Sequence, residues 1–104
     1  MEYLERAKGQ YRYQILLQTI KEKDTYIVYS HSLDLSAYGN SINEAKKNFH
    51  STFQIFLRET SRKGTLDEVL SELGWKKTEV ALEPRWTPPL VINTSDVEEG
   101  CIKA

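Results

Sequence analysis

The sequence predicts an α+β fold: a three-stranded antiparallel meander plus a further strand, packed on one long helix and one short helix, in the order β-β-β-α-α-β. Three observations predict it. Residues 11–38 carry β-branched and aromatic residues at alternating positions, the period of half-buried strands. Residues 42–63 carry apolar residues three and four apart, the period of an amphipathic helix. Two boxes of the Ser/Thr-x-x-Glu form, at Ser41 and Thr65, mark helix starts, and Gly64 and Gly74 mark helix ends.

The elements follow in order. In YRYQILLQTI, Tyr11, Tyr13, Ile15, Leu17 and Thr19 share one face, and Arg12, Gln14 and Gln18 share the other. The polar stretch from Lys21 to Asp24 reads as a turn, and TYIVYS from Thr25 to Ser30 as a second strand, so the pair forms a hairpin. A third strand is expected from Leu33 to Tyr38, stopped by Gly39-Asn40. Ser41-Ile-Asn-Glu44 then opens the long helix: the Ser41 hydroxyl accepts the amide of Glu44, and Glu44 reaches back to the cap amide. At about 100° per residue, Ile42, Ala45, Phe49, Phe53, Phe56 and Thr60 fall within roughly an 80° arc, and Lys47, Ser51, Gln54, Arg58 and Arg62 lie opposite. Thr65-Leu-Asp-Glu68 opens a short helix with Leu66, Val69, Leu70 and Leu73 apolar, and Trp75 to Leu82 makes one more strand. Beyond it Pro84, Pro88 and Pro89 interrupt regular structure. Leu90 to Ile92 reads as an edge strand or an arm reaching another subunit, and the last dozen residues as a frayed end. The expected division is an α+β domain at 1–82 and a proline-interrupted arm and tail at 83–104.

Composition excludes several function classes. The 104 residues are 39% hydrophobic and 28% charged, a globular balance rather than that of a disordered chain. Fourteen basic against fifteen acidic residues give a net charge of −1, which excludes a wholesale polycation binding nucleic acid or anionic membrane by charge alone. The charge is uneven: residues 41–64 hold five basic and two acidic groups, whereas residues 65–82 and 83–104 each hold two and four. A lone cysteine, Cys101, excludes an intrachain disulfide or a cysteine zinc site. No apolar run matches a membrane span and the first residues lack a signal-peptide core, so the expectation is a soluble cytoplasmic protein with no membrane partner.

Residue chemistry predicts no enzyme. There is no nucleotide-binding glycine motif, no HExxH and no Cys/His cluster, so no catalytic residue, cofactor or metal is expected. His31 and His50 read as strand-end and helix-flank residues, with His50 near the buried arc. Asp34, between two leucines, is expected to project from a strand face; a divergent nuclease using Asp34 and a histidine is the weakest reading. The positive signal is a basic helix face, on which Lys46, Lys47, Arg58 and Arg62, with Lys63, could track phosphates. A solvated helix exterior is the simpler explanation, because such faces are usually charged, and Arg62 and Lys63 in the last turn favour the helix dipole. Ile55 points away from the apolar stripe. With Trp86, Leu90, Val91 and Ile92 it is a candidate contact for a partner or a second copy, and the chain is expected to form a homo-oligomer.

Gly39-Asn40-Ser41, with Glu44-Ala45 opening an amphipathic helix after a β-meander, resembles the HicB family of antitoxins, whose string reads roughly G-D-T-x-x-E-A. Gly39, Ser41, Glu44 and Ala45 fit it, with Asn40 in place of Asp, and the resemblance covers about residues 11–82. The family's usual Leu-Pro-Gly-Cys run is replaced by SLDLSAY, Ser32 to Tyr38. The resemblance implies a partial RNase H-like fold and the neutralisation, by occlusion, of a small basic HicA-type toxin that cleaves mRNA. Asp67, Glu68, Glu72, Asp96, Glu98 and Glu99 are acidic groups that could complement such a partner. The family's usual C-terminal DNA-binding module is not expected, because the stretch after Gly74 holds three prolines and no second pair of amphipathic helices. The alternative is a standalone RNA-binding domain using the basic helix face.

Overall fold

A computed structural model describes residues 2–80, 83–89 and 96–103. The elements run β1 (Tyr3–Ala7), β2 (Gln10–Glu22), β3 (Thr25–Ser30), β4 (Leu35–Gly39), α1 (Ile42–Lys63), α2 (Leu66–Glu72), β5 (Lys76–Val80), β6 (Glu83–Thr87) and β7 (Asp96–Lys103). The fold is α+β, with the strands in a mostly antiparallel sheet of order β4-β3-β2-β1-β6-β5 and β7 pairing with β2 off that path. Four strands were expected and seven are found among the described residues. The three additional ones have separate causes.

β1 arises because Lys8 and Gly9 both adopt positive φ, 52° and 73°. That is the conformation of a two-residue hairpin turn, and it folds Tyr3–Ala7 back on Gln10–Gln14. β6 contains Pro84, which lacks a ladder amide. It is tolerated because pairing with β1 covers only Trp86 and Arg85, opposite Leu4 and Glu5, and stops one residue short of the proline. β7 corrects the expectation of a frayed end: Asp96 to Lys103 lies in register along Leu17 to Gln10 of β2. Its anchors are buried Ile102, opposite Tyr11, and Gly100, opposite Tyr13. A Cβ at Gly100 would lie 2.9 Å from the Tyr13 hydroxyl oxygen and 3.1 Å from Cζ, so only glycine leaves room for that ring.

The long strand β2 therefore serves two neighbourhoods. Its first eight residues pair with β7 and, over Gln10–Gln14, with β1; its last five pair with β3. The face bearing Tyr11, Tyr13, Ile15 and Leu17 is buried. α1 covers it with Ala45, Phe49, Phe53 and Leu57, while Phe56 packs at the margin. The helical arc is thus rotated slightly toward Leu57 from the one the sequence predicts, and Ile42, in the first turn, is exposed. Tyr13 meets Phe53 edge to face at 4.8 Å between centroids. Leu66 and Leu70 of α2, Trp75 and Trp86 complete the core.

The junction between β4 and α1 carries the motif Gly39 to Ala45. Ser41 Oγ accepts the Glu44 amide at 3.1 Å, and Glu44 Oε1 accepts the amide of Asn40, one residue before the cap, at 3.0 Å. The reciprocal cap thus forms with its second bond displaced by one residue. Gly39 has no positive φ; it is required by space, since a Cβ there would lie 2.7 Å from the Ala45 nitrogen. Gly64 ends α1 in the left-handed region at φ 70° as the sequence predicts. The second box does not form: Thr65 makes no side-chain cap bond, and Asp67 turns elsewhere.

A buried polar group fastens the start of the chain. The β1 ladder ends at Tyr3 opposite Gln14, and there the carboxylate of Glu2, 5% exposed, takes over. Its Oε1 accepts the Leu16 amide and the Ser32 hydroxyl, each at 2.9 Å. The Ser32 carbonyl in turn accepts the Trp75 indole N–H at 2.8 Å, so Glu2 and Trp75 are tied through one serine. Among the described residues no helix is long and apolar enough to cross a membrane.

Candidate functional site

Both helices sit on the face lined by the odd-numbered residues of β2, so among the described residues no helix covers the opposite face. Strand alternation places Gln18, Ile20 and Glu22 of β2 there, and the register extends one row across three strands: Ile20 opposite Ile27, and Ile27 opposite Tyr38. Ile20 is 48% exposed and Tyr38 66%. Ile27 and Tyr38, with Glu22, Lys23 and Thr25, line a shallow open depression of about 460 Å³ at the end of the hairpin. Exposed Glu22, Asp24 and Asp34 lie on the same strands and their turns. This row was legible only as alternation; which isoleucines meet depends on register.

At the edge of the sheet, Asn48 Nδ2 of α1 donates to the Tyr38 carbonyl at 2.7 Å. The helix thereby occupies an acceptor that an edge strand would otherwise offer to another chain. Tyr38 consequently presents its ring rather than its backbone.

The basic helix residues separate into two groups. Lys47, Arg58 and Arg62 are exposed on the outer side of α1, as expected. Lys46 is not with them: it is half-buried, on the side of the helix that carries Ala45, Phe49 and Phe53. Arg62 is engaged by Glu59, whose carboxyl it holds below the usual range. Ile55 is 58% exposed beside this face. Trp86 is buried in the sheet rather than displayed for a partner. Leu90, Val91 and Ile92 lie outside the described residues.

The histidines and Asp34 are not brought to one place. His50 Nδ1 and the Tyr13 hydroxyl are 2.7 Å apart. Tyr13 is almost wholly buried, and burial, then the negative charge of Glu98, raise its pKa above the ordinary tyrosine value. Asp34 corrects its expected place in a strand: it sits before β4 with φ 52°, where its carboxylate accepts the Tyr29 hydroxyl at 3.1 Å. The His31 ring meets Tyr29 edge-on at 6.3 Å. Among the described residues no three His, Cys, Asp or Glu side chains converge as a metal site would require.

A second polar arrangement lies on the helix-covered side. Asp67 Oδ1 accepts the Trp86 indole N–H at 2.8 Å, and Asp67 Oδ2 accepts Lys77 Nζ at 2.9 Å. The Lys77 bond and the Trp86 bond hold the Asp67 carboxyl below its usual range against the opposing effect of burial, and Asp67 keeps the Lys77 ammonium above its own. Asp67 is thus engaged within the chain while its side chain stays more than half exposed. Compared with known proteins, the chain matches no protein-family model, no curated protein and no solved structure.

Proposed function

We propose that the chain is a protein-binding module of the HicB-like antitoxin type, which neutralises a small mRNA-cleaving toxin by occlusion and is not itself an enzyme. In this reading β2, β3, β4 and α1 form the partial RNase H-like unit. The observation that carries it is the row Ile20–Ile27–Tyr38 on the helix-free sheet face. Contiguous apolar groups on an exposed sheet face stabilise a complex when a partner covers them. Glu22 and Asp24, at the hairpin end of this row beside Lys21 and Lys23, and Asp34, in the turn at the other end of β3, offer carboxylates to a basic partner and can steer its approach. Gly39, Ser41, Glu44 and Ala45, the residues of the resemblance, make the junction that holds α1 against β4. Self-association, with exposed Ile55 as a contact, would multiply the bonds to a toxin. Action on an mRNA-cleaving toxin places the protein in the cytoplasm.

The test is capture from the native host with the wild-type chain and with an Ile27→Glu, Tyr38→Glu double variant, followed by native mass measurement and an mRNA-cleavage assay. The reading expects a basic protein of about 60–90 residues, bound in fixed stoichiometry, whose cleavage of mRNA stops when the wild-type chain is added. The double variant keeps its melting temperature and loses both properties. Capture of no such protein, or equal inhibition by the variant, overturns the proposal. RNA binding through exposed Lys47 and Arg58 is the alternative. It predicts a gel shift that weakens with salt and disappears on Lys47→Glu, Arg58→Glu substitution.

A further inference from the structure

On the helix-covered side, where the C-terminal end of α1 meets β1, β2, β5 and β6, the molecule has a cleft of about 190 Å³. Two cations and two aromatic rings line it in sequence. Lys77 Nζ lies 5.6 Å from the centroid of the Trp86 ring, Trp86 and Tyr11 are 6.5 Å apart, and the Arg6 guanidinium lies 5.8 Å from the Tyr11 ring. Ser61 adds a hydroxyl, 2.6 Å from that of Tyr11.

The polar groups of this cleft are unequally satisfied. Asp67 uses one oxygen on Trp86 and the other on Lys77. Lys77 also reaches Glu79 at 3.6 Å, so two carboxylates balance it. Arg6 differs: it lies over the face of Tyr11, and among the described residues no carboxylate comes within ion-pair distance of it. A guanidinium offers five N–H donors in a planar fork that fits an oxyanion. The surroundings reinforce that sign. Lys8 follows Arg6 by two residues, and Lys63 precedes Gly64, which lines the cleft. Arg62 and Lys63 in the last turn offset the partial negative charge of the α1 C-terminus.

We infer that this cleft binds a small molecule bearing an oxyanion, a phosphate or a carboxylate, with Arg6 as the residue that takes the anion. The Tyr11 and Ser61 hydroxyls supply further hydrogen bonds, and Trp86 with Leu66 and Pro84 supplies the apolar wall. The cleft lies on the face opposite the row Ile20–Ile27–Tyr38, so the inference does not rest on the proposed function.

Two tryptophans make the test internally controlled. The Trp86 indole N–H lies in the cleft wall, while the Trp75 indole N–H is bonded to the Ser32 carbonyl elsewhere in the core. Inorganic phosphate and benzoate are titrated separately, at constant ionic strength and up to about 20 mM, into the ¹⁵N-labelled full chain. At least one of them is expected to shift the Trp86 indole resonance saturably and leave that of Trp75 in place; which one responds assigns the class of oxyanion. Arg6→Gln is expected to weaken that response about tenfold. A Trp86 resonance unmoved by both probes overturns the inference. So does an equal response in the Arg6→Gln protein, whose fold is checked by the unchanged Trp75 resonance.

Discussion

Replacing Gly39 by alanine separates two physical arguments that predict opposite signs. Gly39 is in β4 at a backbone conformation open to any residue, and alanine at such a position ordinarily stabilises by about 0.4–1 kcal/mol through the unfolded chain. Here the new Cβ would lie 2.7 Å from the Ala45 nitrogen and 2.9 Å from both the carbonyl carbon and Cβ of Glu44. Two of those neighbours are backbone of the first helical turn, so α1 must move away. Forcing a methyl group into such a contact costs about 1–3 kcal/mol. The displacement also stretches the Asn40–Glu44 and Glu44–Ser41 bonds, a cap worth about 0.5–2 kcal/mol. After the entropic gain is subtracted, Gly39→Ala should destabilise by about 2–3 kcal/mol, lowering the melting temperature by roughly 10–20 °C for a chain of this size. Urea unfolding followed by circular dichroism, with calorimetry alongside, measures both quantities. A melting temperature unchanged or raised would refute the close-approach argument and return Gly39 to the status of an ordinary strand residue.

Four further outcomes follow from other parts of the molecule. Lys8 holds a positive φ that favours asparagine in a two-residue hairpin turn, so Lys8→Asn should stabilise by about 0.5–1 kcal/mol in urea unfolding. Gly100→Ala should drive Tyr13 from its place against β7 and His50, seen as loss of slow amide exchange along Gln10–Leu17 before global stability is lost. Asp67 has a folded pKa below its ordinary 3.8, so its contribution is present above that value and disappears as pH falls through the folded pKa; Asp67→Asn should flatten the acid limb of the stability profile below about pH 4. Tyr13 has a pKa raised above 10.0, so the unfolded chain releases that proton first and stability declines as pH rises past that value. Ultraviolet titration of tyrosinate should therefore find Tyr13 ionising only with unfolding, a component that Tyr13→Phe removes.

Local patterns were legible wherever the physics is local. The long helix, its Ser41 cap and its Gly64 terminus depend on residues three or four apart, and β3 was expected at the residues where it is found. Pairings between distant residues were not legible. Glu5 and Arg6 break the alternation of β1, and the ion pair of Glu5 with Arg85, at 3.1 Å, joins residues that no window of sequence contains together. Acidic residues concealed β7, because a single buried isoleucine and a glycine matched to Tyr13 are its anchors. Asp67 resembled part of a helix cap and instead bonds across to Trp86 and Lys77, a choice determined by tertiary packing. Within the candidate surface, the residue types were visible, while the row Ile20–Ile27–Tyr38 required a register that only the turns at Lys23 and Asp34 determine.

The division of β2 between early and late partners has a consequence for biosynthesis. β3, β4 and α1 follow β2 directly, so their contacts close short loops and can form soon after they leave the ribosome. The edge that receives β7 must wait: Leu17 and its partner Asp96 are far apart in the chain, a delay of roughly 4–16 s at about 5–20 residues per second. Throughout that interval eight residues of β2, four of them core residues, present one unpaired backbone edge. The nascent chain is then most exposed to chaperones and to mispairing, and the arrival of β7 ends this vulnerability.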